Sequence, residues 1–181
     1  KVVEHVAATE PHLIALTGDF VNSDTRDFDG VQRWFAGLVA TGVPTFAVWG
    51  NHDHWNGRLD HLSAVATKAG ITMLVNQSVP FDGPWGQADI VGTDDPYTGR
   101  HDWDASLSRV RTDSFRLVLT HAPEIASTLP RSGADLAICG HTHGGQIRAP
   151  FVGALIVPGQ GFLPQRSLGT DDEAGEIVAD D

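Results

Sequence analysis

The chain has 181 residues, 41% of them hydrophobic, and a net charge of −11 from 12 basic and 23 acidic side chains. That length supports one domain with its own core, and no apolar run is long enough to cross a bilayer as a helix. The acidic balance argues against a broad nucleic-acid surface, which needs a basic face, and a single cysteine excludes an internal disulfide framework.

In chain order, residues 2–9 have helical character, so the start at Lys1 reads as helix rather than as a signal peptide. Pro11 follows, then a short buried strand at 13–16 and a polar, Asp-rich loop at 22–29. Val31, Trp34, Phe35 and Leu38 recur at helical spacing and predict an amphipathic helix. Gly42 ends it and Pro44 opens the next strand. After a loop at Asn51, Leu59, Leu62, Ala66 and Ala69 predict a second helix stopped by Gly70, and residues 71–75 return to strand. Val79-Pro80-Phe81 and Ala88-Asp89-Ile90-Val91 flank a Gly/Asp/Pro/Trp turn region and read as a β-hairpin. An irregular polar stretch at 93–104 precedes a strand at 115–119, a short helix at 123–129 and a strand at 135–139. The order is βα repeats with a β-rich middle and end, without internal repeat, low-complexity tract or linker, so the expectation is one domain over 1–181.

Four predicted strands end in a side chain competent to bind metal. Gly18-Asp19 follows Leu13-Ile14-Ala15-Leu16, and Gly50-Asn51-His52-Asp53 follows Thr45-Phe46-Ala47-Val48-Trp49. His121 follows the strand at 115–119, and Gly140-His141-Thr142-His143 follows Leu136-Ala137-Ile138-Cys139. Functional groups in open α/β sheets gather at the carboxyl ends of strands. Asp, Asn and His arriving at one edge make a mixed oxygen and nitrogen site for divalent transition metals. The default of surface or satisfied core is kept for His12, His54, His61 and His101. Asp24, Asp27 and Asp29 read as a solvated loop, and Asp94 and Asp95 as turn residues before Pro96. Trp34 and Phe35 read as core, whereas Trp85 and Trp103 fit either a groove for an apolar substrate tail or packing over a loop.

These four ordered motifs resemble the calcineurin-like metallophosphoesterase superfamily, from about Glu4 to about Pro158. The longer run Gly140-His141-Thr142-His143-Gly144-Gly145-Gln146, with Pro150-Phe151, is similar to a bacterial branch of membrane-associated phosphohydrolases. Leu16-Thr17-Gly18-Asp19-Phe20-Val21 and Val91-Gly92-Thr93-Asp94-Asp95-Pro96 fit the same branch. The resemblance implies a four-layer αββα sandwich, two mixed β-sheets flanked by helices. It implies two divalent metal ions roughly 3.5–4 Å apart, drawn from Mn, Fe, Zn, Co or Ni. Asp19 would bridge them; Asn51, His121 and His141 would hold the second metal and His143 the first. Thr142 would point away if its segment is extended. His52 would act as an acid or phosphate ligand, with Asp53 fixing its tautomer and raising its pKa. The implied reaction is hydrolysis of a phosphomonoester or phosphodiester by a hydroxide held between the metals. The implied partner is a phosphate-ester substrate, a lipid or nucleotide-type diester among the candidates, without a nucleic-acid groove. The expected location is cytoplasmic or peripheral on a membrane, and nothing in the pattern specifies an oligomeric state.

One family motif is missing. The first Asp-x-His strand, which completes the first metal site, has no counterpart before Gly18, and neither His5 nor His12 stands in that context. The expectation is therefore a domain lacking its first strand. The residues 175–181 are strand-like, and two readings of them stand: the family's last strand, which is preferred, or a permuted substitute for the first. The alternative function is a catalytically impaired metal-binding or interaction module that has lost part of the first metal site; a nuclease of the same superfamily is disfavoured by the acidic balance.

Overall fold

The computed structural model describes residues 1–149, 153–157, 160–162, 164, 169–171 and 176–178. Pro150-Phe151, Pro158 and the final Asp180 and Asp181 lie outside the described residues. The first half alternates helix and strand: α1 (Val2–Ala8), β1 (Ile14–Leu16), α2 (Asp29–Val39), β2 (Thr45–Ala47), α3 (Asn51–Trp55), α4 (Leu59–Ala69) and β3 (Thr72–Met73). The hairpin β4 (Gln77–Gly83) and β5 (Gly86–Gly92) follows. Then come α5 (Trp103–Leu107), β6 (Phe115–Leu119), a 3-10 helix (Pro123–Ser132) and β7 (Leu136–Cys139). Five short strands close the order: β8 (Ile147–Ala149), β9 (Gly153–Val157), β10 (Gly161–Phe162), β11 (Gly169–Asp171) and β12 (Glu176–Val178).

Two sheets face each other. Strands β1, β2 and β3 form a parallel sheet in that order. The second sheet is mixed, in the order β11-β12-β7-β6-β5-β4, with β5, β6, β7 and β12 parallel and antiparallel strands at both edges. A small antiparallel sheet of β8, β9 and β10 is added after the His143 turn.

The period-two alternation of strand side chains sorts the core into layers. Leu117 and Leu119 of β6, Ile90 of β5 and Phe46 of β2 fill the space between the sheets, with Leu136 and Ile138 of β7 packed against them. Their neighbours Val118, Val91 and Ala137 face the other way, onto Trp103, Ile125 and Leu129. On the far side of the first sheet, Ile14, Leu16 and Ala47 meet Phe35 and Leu38 of α2, three apart, and Leu62, Val65 and Ala66 of α4, three and four apart. Helices, sheet, sheet and helices make four layers, the sandwich of sheets flanked by helices that the resemblance implies. Gly70 ends α4 in the left-handed region at φ 96°, where a glycine has no Cβ penalty.

Three differences from the sequence reading have local causes. Asn51–Trp55 is a helix, not a loop; five residues are too few to show a period, and Asp53 initiates it by accepting the Gly50 N–H. Residues 103–107, the first two of them read as the end of an irregular stretch, form α5 because the Asp102 carboxylate caps the Ala105 N–H. The tail strand β12 joins the second sheet beside β7 and leaves β1 at the edge of its own sheet, so it does not stand in for a strand beside β1. Among the described residues no helix is long and apolar enough to cross a membrane.

Ile90 is fully buried between the sheets. Its truncation to alanine is expected to cost about 2–5 kcal/mol in urea unfolding. The exposed Val75→Ala change should stay within about 0.5 kcal/mol of the parent.

Candidate metal centre

The loops that follow β1, β2, β6 and β7 meet at one edge of the sandwich. Successive strands are tied beyond their ladders: the Val48 N–H donates to Leu16 C=O, Thr120 N–H to Ile138 C=O, and Gly140 N–H to His121 C=O. His121 spans the two sheets, its Nδ1 lying 2.7 Å from Thr17 C=O.

Asp53 joins the first two loops. Its side chain is fully buried, and its oxygens accept N–H groups from Asp19 (2.9 Å), Gly50 (2.9 Å) and Val21 (3.2 Å). This corrects the expectation that Asp53 orients His52, since the carboxylate instead binds the backbone of both loops. Burial pushes its pKa up to about 7; the nearby Asp19 charge adds to the rise, and the three N–H groups oppose it. The loops also touch backbone to backbone. A Cβ on Gly18, held at φ +97°, would lie 2.8 Å from the Gly50 Cα, and a Cβ on Gly50 would lie 2.6 Å from the Asp19 nitrogen. Only glycine permits this approach.

Four of the five expected metal ligands converge. The Nε2 of His121 is 3.0 Å from Asn51 Oδ1, 3.1 Å from His141 Nδ1 and 3.3 Å from Asp19 Oδ2. Donor atoms of Asp19, His121 and His141 all lie within 4.8 Å of one another. Asn51, His121 and His141 are buried. The other oxygen of Asp19 accepts the His52 N–H at 2.9 Å, which fixes the carboxylate's direction.

Burial pushes the Asp19 carboxyl up, but the hydrogen bond and charge of His121 with the His52 N–H outweigh it, and the net shift is downward. For His121 burial pushes down, while Asp19 and the Thr17 carbonyl prevail and raise it. His141 falls to about 4, by burial first and then by the neighbouring His121 charge. It is therefore a neutral imidazole at neutral pH, the form that binds metals.

These atoms fit a cation better than they fit one another. With Nδ1 of His121 directed at a carbonyl, the neutral ring would turn a bare Nε2 lone pair on two oxygens and a nitrogen, and the raised pKa of the ring reflects that Nε2 gains by taking a proton when no cation is there. A proton on Nε2 serves one of those three neighbours and leaves the others unpaired. The buried Nε2 of His141 has no hydrogen-bond partner among the described residues. A divalent cation would take His121 Nε2, Asn51 Oδ1, Asp19 Oδ2 and one nitrogen of His141 together.

The fifth expected ligand, His143, is exposed. It lines a cavity of about 560 Å³ together with Asp19, His52, Phe20 and Trp34. The segment carrying it is not extended: His141 and His143 have φ of 72° and 52°, Thr142 is buried, and its N–H donates to the Gly140 carbonyl. Asp19 is also left-handed, at φ 56°. Left-handed non-glycine residues are uncommon and collect where function demands strain. His5 and His12 lie elsewhere, on α1 and against Trp85. Trp103 is core, its Nε1 donating to Thr128 Oγ1, whereas Trp85 is half exposed on the β4–β5 turn.

The sequence reading leaves His54 as surface or satisfied core and Asp94 as a turn residue, and passes over Trp55 and Tyr97. His54 Nε2 and Asp94 Oδ1 form a buried pair at 2.7 Å that ties α3 to the loop after β5. No sequence signal joins the pair: His54 lies on a helix too short to show a period, and Asp94 stands two residues beyond the end of β5.

A four-layer α/β sandwich with an oxygen and nitrogen donor cluster at its strand ends is the architecture of a metal-centre domain. The chain belongs to the calcineurin-like phosphoesterase family, whose model matches residues 1–145. Phosphodiesterase YaeI of Escherichia coli (strain K12) is 39% identical over 153 residues, covering 82% of this chain and 55% of that protein. The uncharacterized metallophosphoesterase YkuE of Bacillus subtilis (strain 168) is 32% identical over 164 residues, covering 88% of this chain and 57% of that protein. The chain thus spans little more than half the length of these curated relatives. The crystal structure of TT1561 of Thermus thermophilus superposes with a TM-score of 0.55 at 16% identity, over 90% of this chain and 82% of that one; it supports the fold alone.

If Asp53 acts as a tie between loops, Asp53→Ala leaves three buried N–H donors unpaired. The expected loss is about 3 kcal/mol or more in urea unfolding. Unchanged stability with lost activity would instead mark Asp53 as chemically active.

Proposed function

We propose that this domain hydrolyses phosphate esters at a divalent metal centre held by Asp19, Asn51, His121 and His141, with His143 and Asp19 serving a second ion. The observation that carries this reading is the crowding of Asn51 Oδ1, His141 Nδ1 and Asp19 Oδ2 within 3.0–3.3 Å of one buried imidazole nitrogen. Divalent ions bound there would supply a nucleophile at neutral pH and neutralise charge on the phosphoryl oxygens.

The chain's own residues do the rest. Asp19 lines the cavity, one of its oxygens already steadied by a backbone N–H. The Thr17 carbonyl holds the His121 ring so that Nε2 faces the donors. His52 lies on the wall of the same cavity, one residue from Asn51. There its imidazole donates a proton to the leaving oxygen. Proximity supports the assignment, because Asn51 and His52 ride on the same turn of α3.

Metal analysis with hydrolysis of bis-p-nitrophenyl phosphate in manganese tests the reading. Asn51→Ala and His141→Ala should lose bound metal and turnover together. His52→Ala should keep its metal while kcat falls by about 10²–10⁴-fold. Parent-level turnover in the metal-stripped protein would refute the proposal. Bound metal without turnover of any phosphate ester would favour a binding module.

A further inference from the structure

Two of the large apolar side chains left exposed by this chain stand beside the donor cluster: Trp55, 52% exposed, and Tyr97, 43% exposed. Their rings are linked to the centre on both sides. Tyr97 lies 4.8 Å from the His141 ring at 45°, and Trp55 lies 5.2 Å from the His52 ring at 63°. The two meet each other at 5.9 Å and 69°. The result is a corner of two aromatic rings, joined at one end to the proposed proton donor and at the other to a proposed metal ligand.

The corner is held firmly. Trp55 ends α3 and Tyr97 belongs to the loop after β5, and the buried His54–Asp94 pair fastens those two elements one residue and three residues away, respectively. Asp95, fully buried, accepts the N–H groups of Tyr97 at 3.1 Å and Thr98 at 2.8 Å. The Asp94 N–H is in turn bonded to Asn76 Oδ1 at 2.8 Å. Exposed Trp and Tyr on such a frame lose little entropy when something packs on them. A site acting on bare phosphate gains nothing from them, because hydrogen bonds and charge recognise phosphoryl oxygens while ring faces recognise flat apolar groups.

Resting on the hydrolase reading above, we propose that Trp55 and Tyr97 select the substrate's organic group. The substrate class is then a phosphate ester whose organic group presents a flat aromatic ring. A nucleobase and a simple aryl group share that chemistry.

Calorimetric binding of five phosphoryl ligands, two pairs and octylphosphonate, to the manganese-loaded protein tests this without turnover. Phenylphosphonate is paired with methylphosphonate, and adenosine 5′-phosphate with ribose 5-phosphate, so each pair differs by the ring. The ringed member of at least one pair should bind about tenfold tighter. A gain only in the nucleotide pair identifies a base, and a gain only in the phosphonate pair an aryl group. Trp55→Ala and Tyr97→Ala should each shrink that ratio towards one, whereas Trp55→Phe and Tyr97→Phe should keep most of it. The selection idea is overturned if methylphosphonate binds and neither ringed ligand gains, or if the alanine variants keep the ratio. It is also overturned if octylphosphonate gains as much as phenylphosphonate, since that marks simple apolar contact. Failure of every ligand to bind, together with absent bis-p-nitrophenyl phosphate hydrolysis, would remove the hydrolase reading as well.

Discussion

The buried carboxylate of Asp53 is the constraint on which the site depends. It binds N–H groups from Asp19, Val21 and Gly50, so it fastens the ends of β1 and β2 with one side chain. Gly18 and Gly50 let those ends come into backbone contact. That contact sets where Asp19 points and where α3 begins, and hence where Asn51 and His52 stand. A buried carboxylate is costly unless its lone pairs are used. Here three backbone donors use them, and those donors would otherwise be unpaired.

His121 does for the two sheets what Asp53 does for the two loops. It belongs to β6's end, accepts its orientation from a carbonyl after β1, and presents its other nitrogen to Asn51 from α3 and His141 from β7's end. The apolar layer between the sheets fixes the distance at which this is done, through Phe46, Ile90, Leu117 and Leu119. A polar cluster of this density is unfavourable by itself, because one proton on His121 Nε2 cannot serve three neighbouring acceptors. It persists because the packing of the strands beneath over-determines it. The aromatic corner at Trp55 and Tyr97 is attached to the same frame through His54 and Asp94.

Much of this is readable in the residues. The helix ending at Gly70, the hairpin and the strand preceding each motif follow from periodicity and turn chemistry, and the four motifs mark the edge where the donors meet. The local hydrogen bonding is not readable. Asp53 looks like a partner for its neighbour His52, because sequence adjacency hides that a carboxylate on a new helix points back at its own N-terminus. The direction of Thr142 depends on whether 141–143 is extended, and it is not: two left-handed histidines turn it and bury Thr142. His54 and Asp94, 40 positions apart, carry no pairwise signal in a single sequence. Nor does periodicity register a five-residue helix.

Anomalous diffraction from a crystal of the protein soaked in manganese tests the central claim directly. The account predicts a peak within bonding distance of Asp19, Asn51, His121 and His141, about 2.0–2.3 Å from each donor. A peak elsewhere, or a fully ordered cluster at high manganese with no peak, would contradict it.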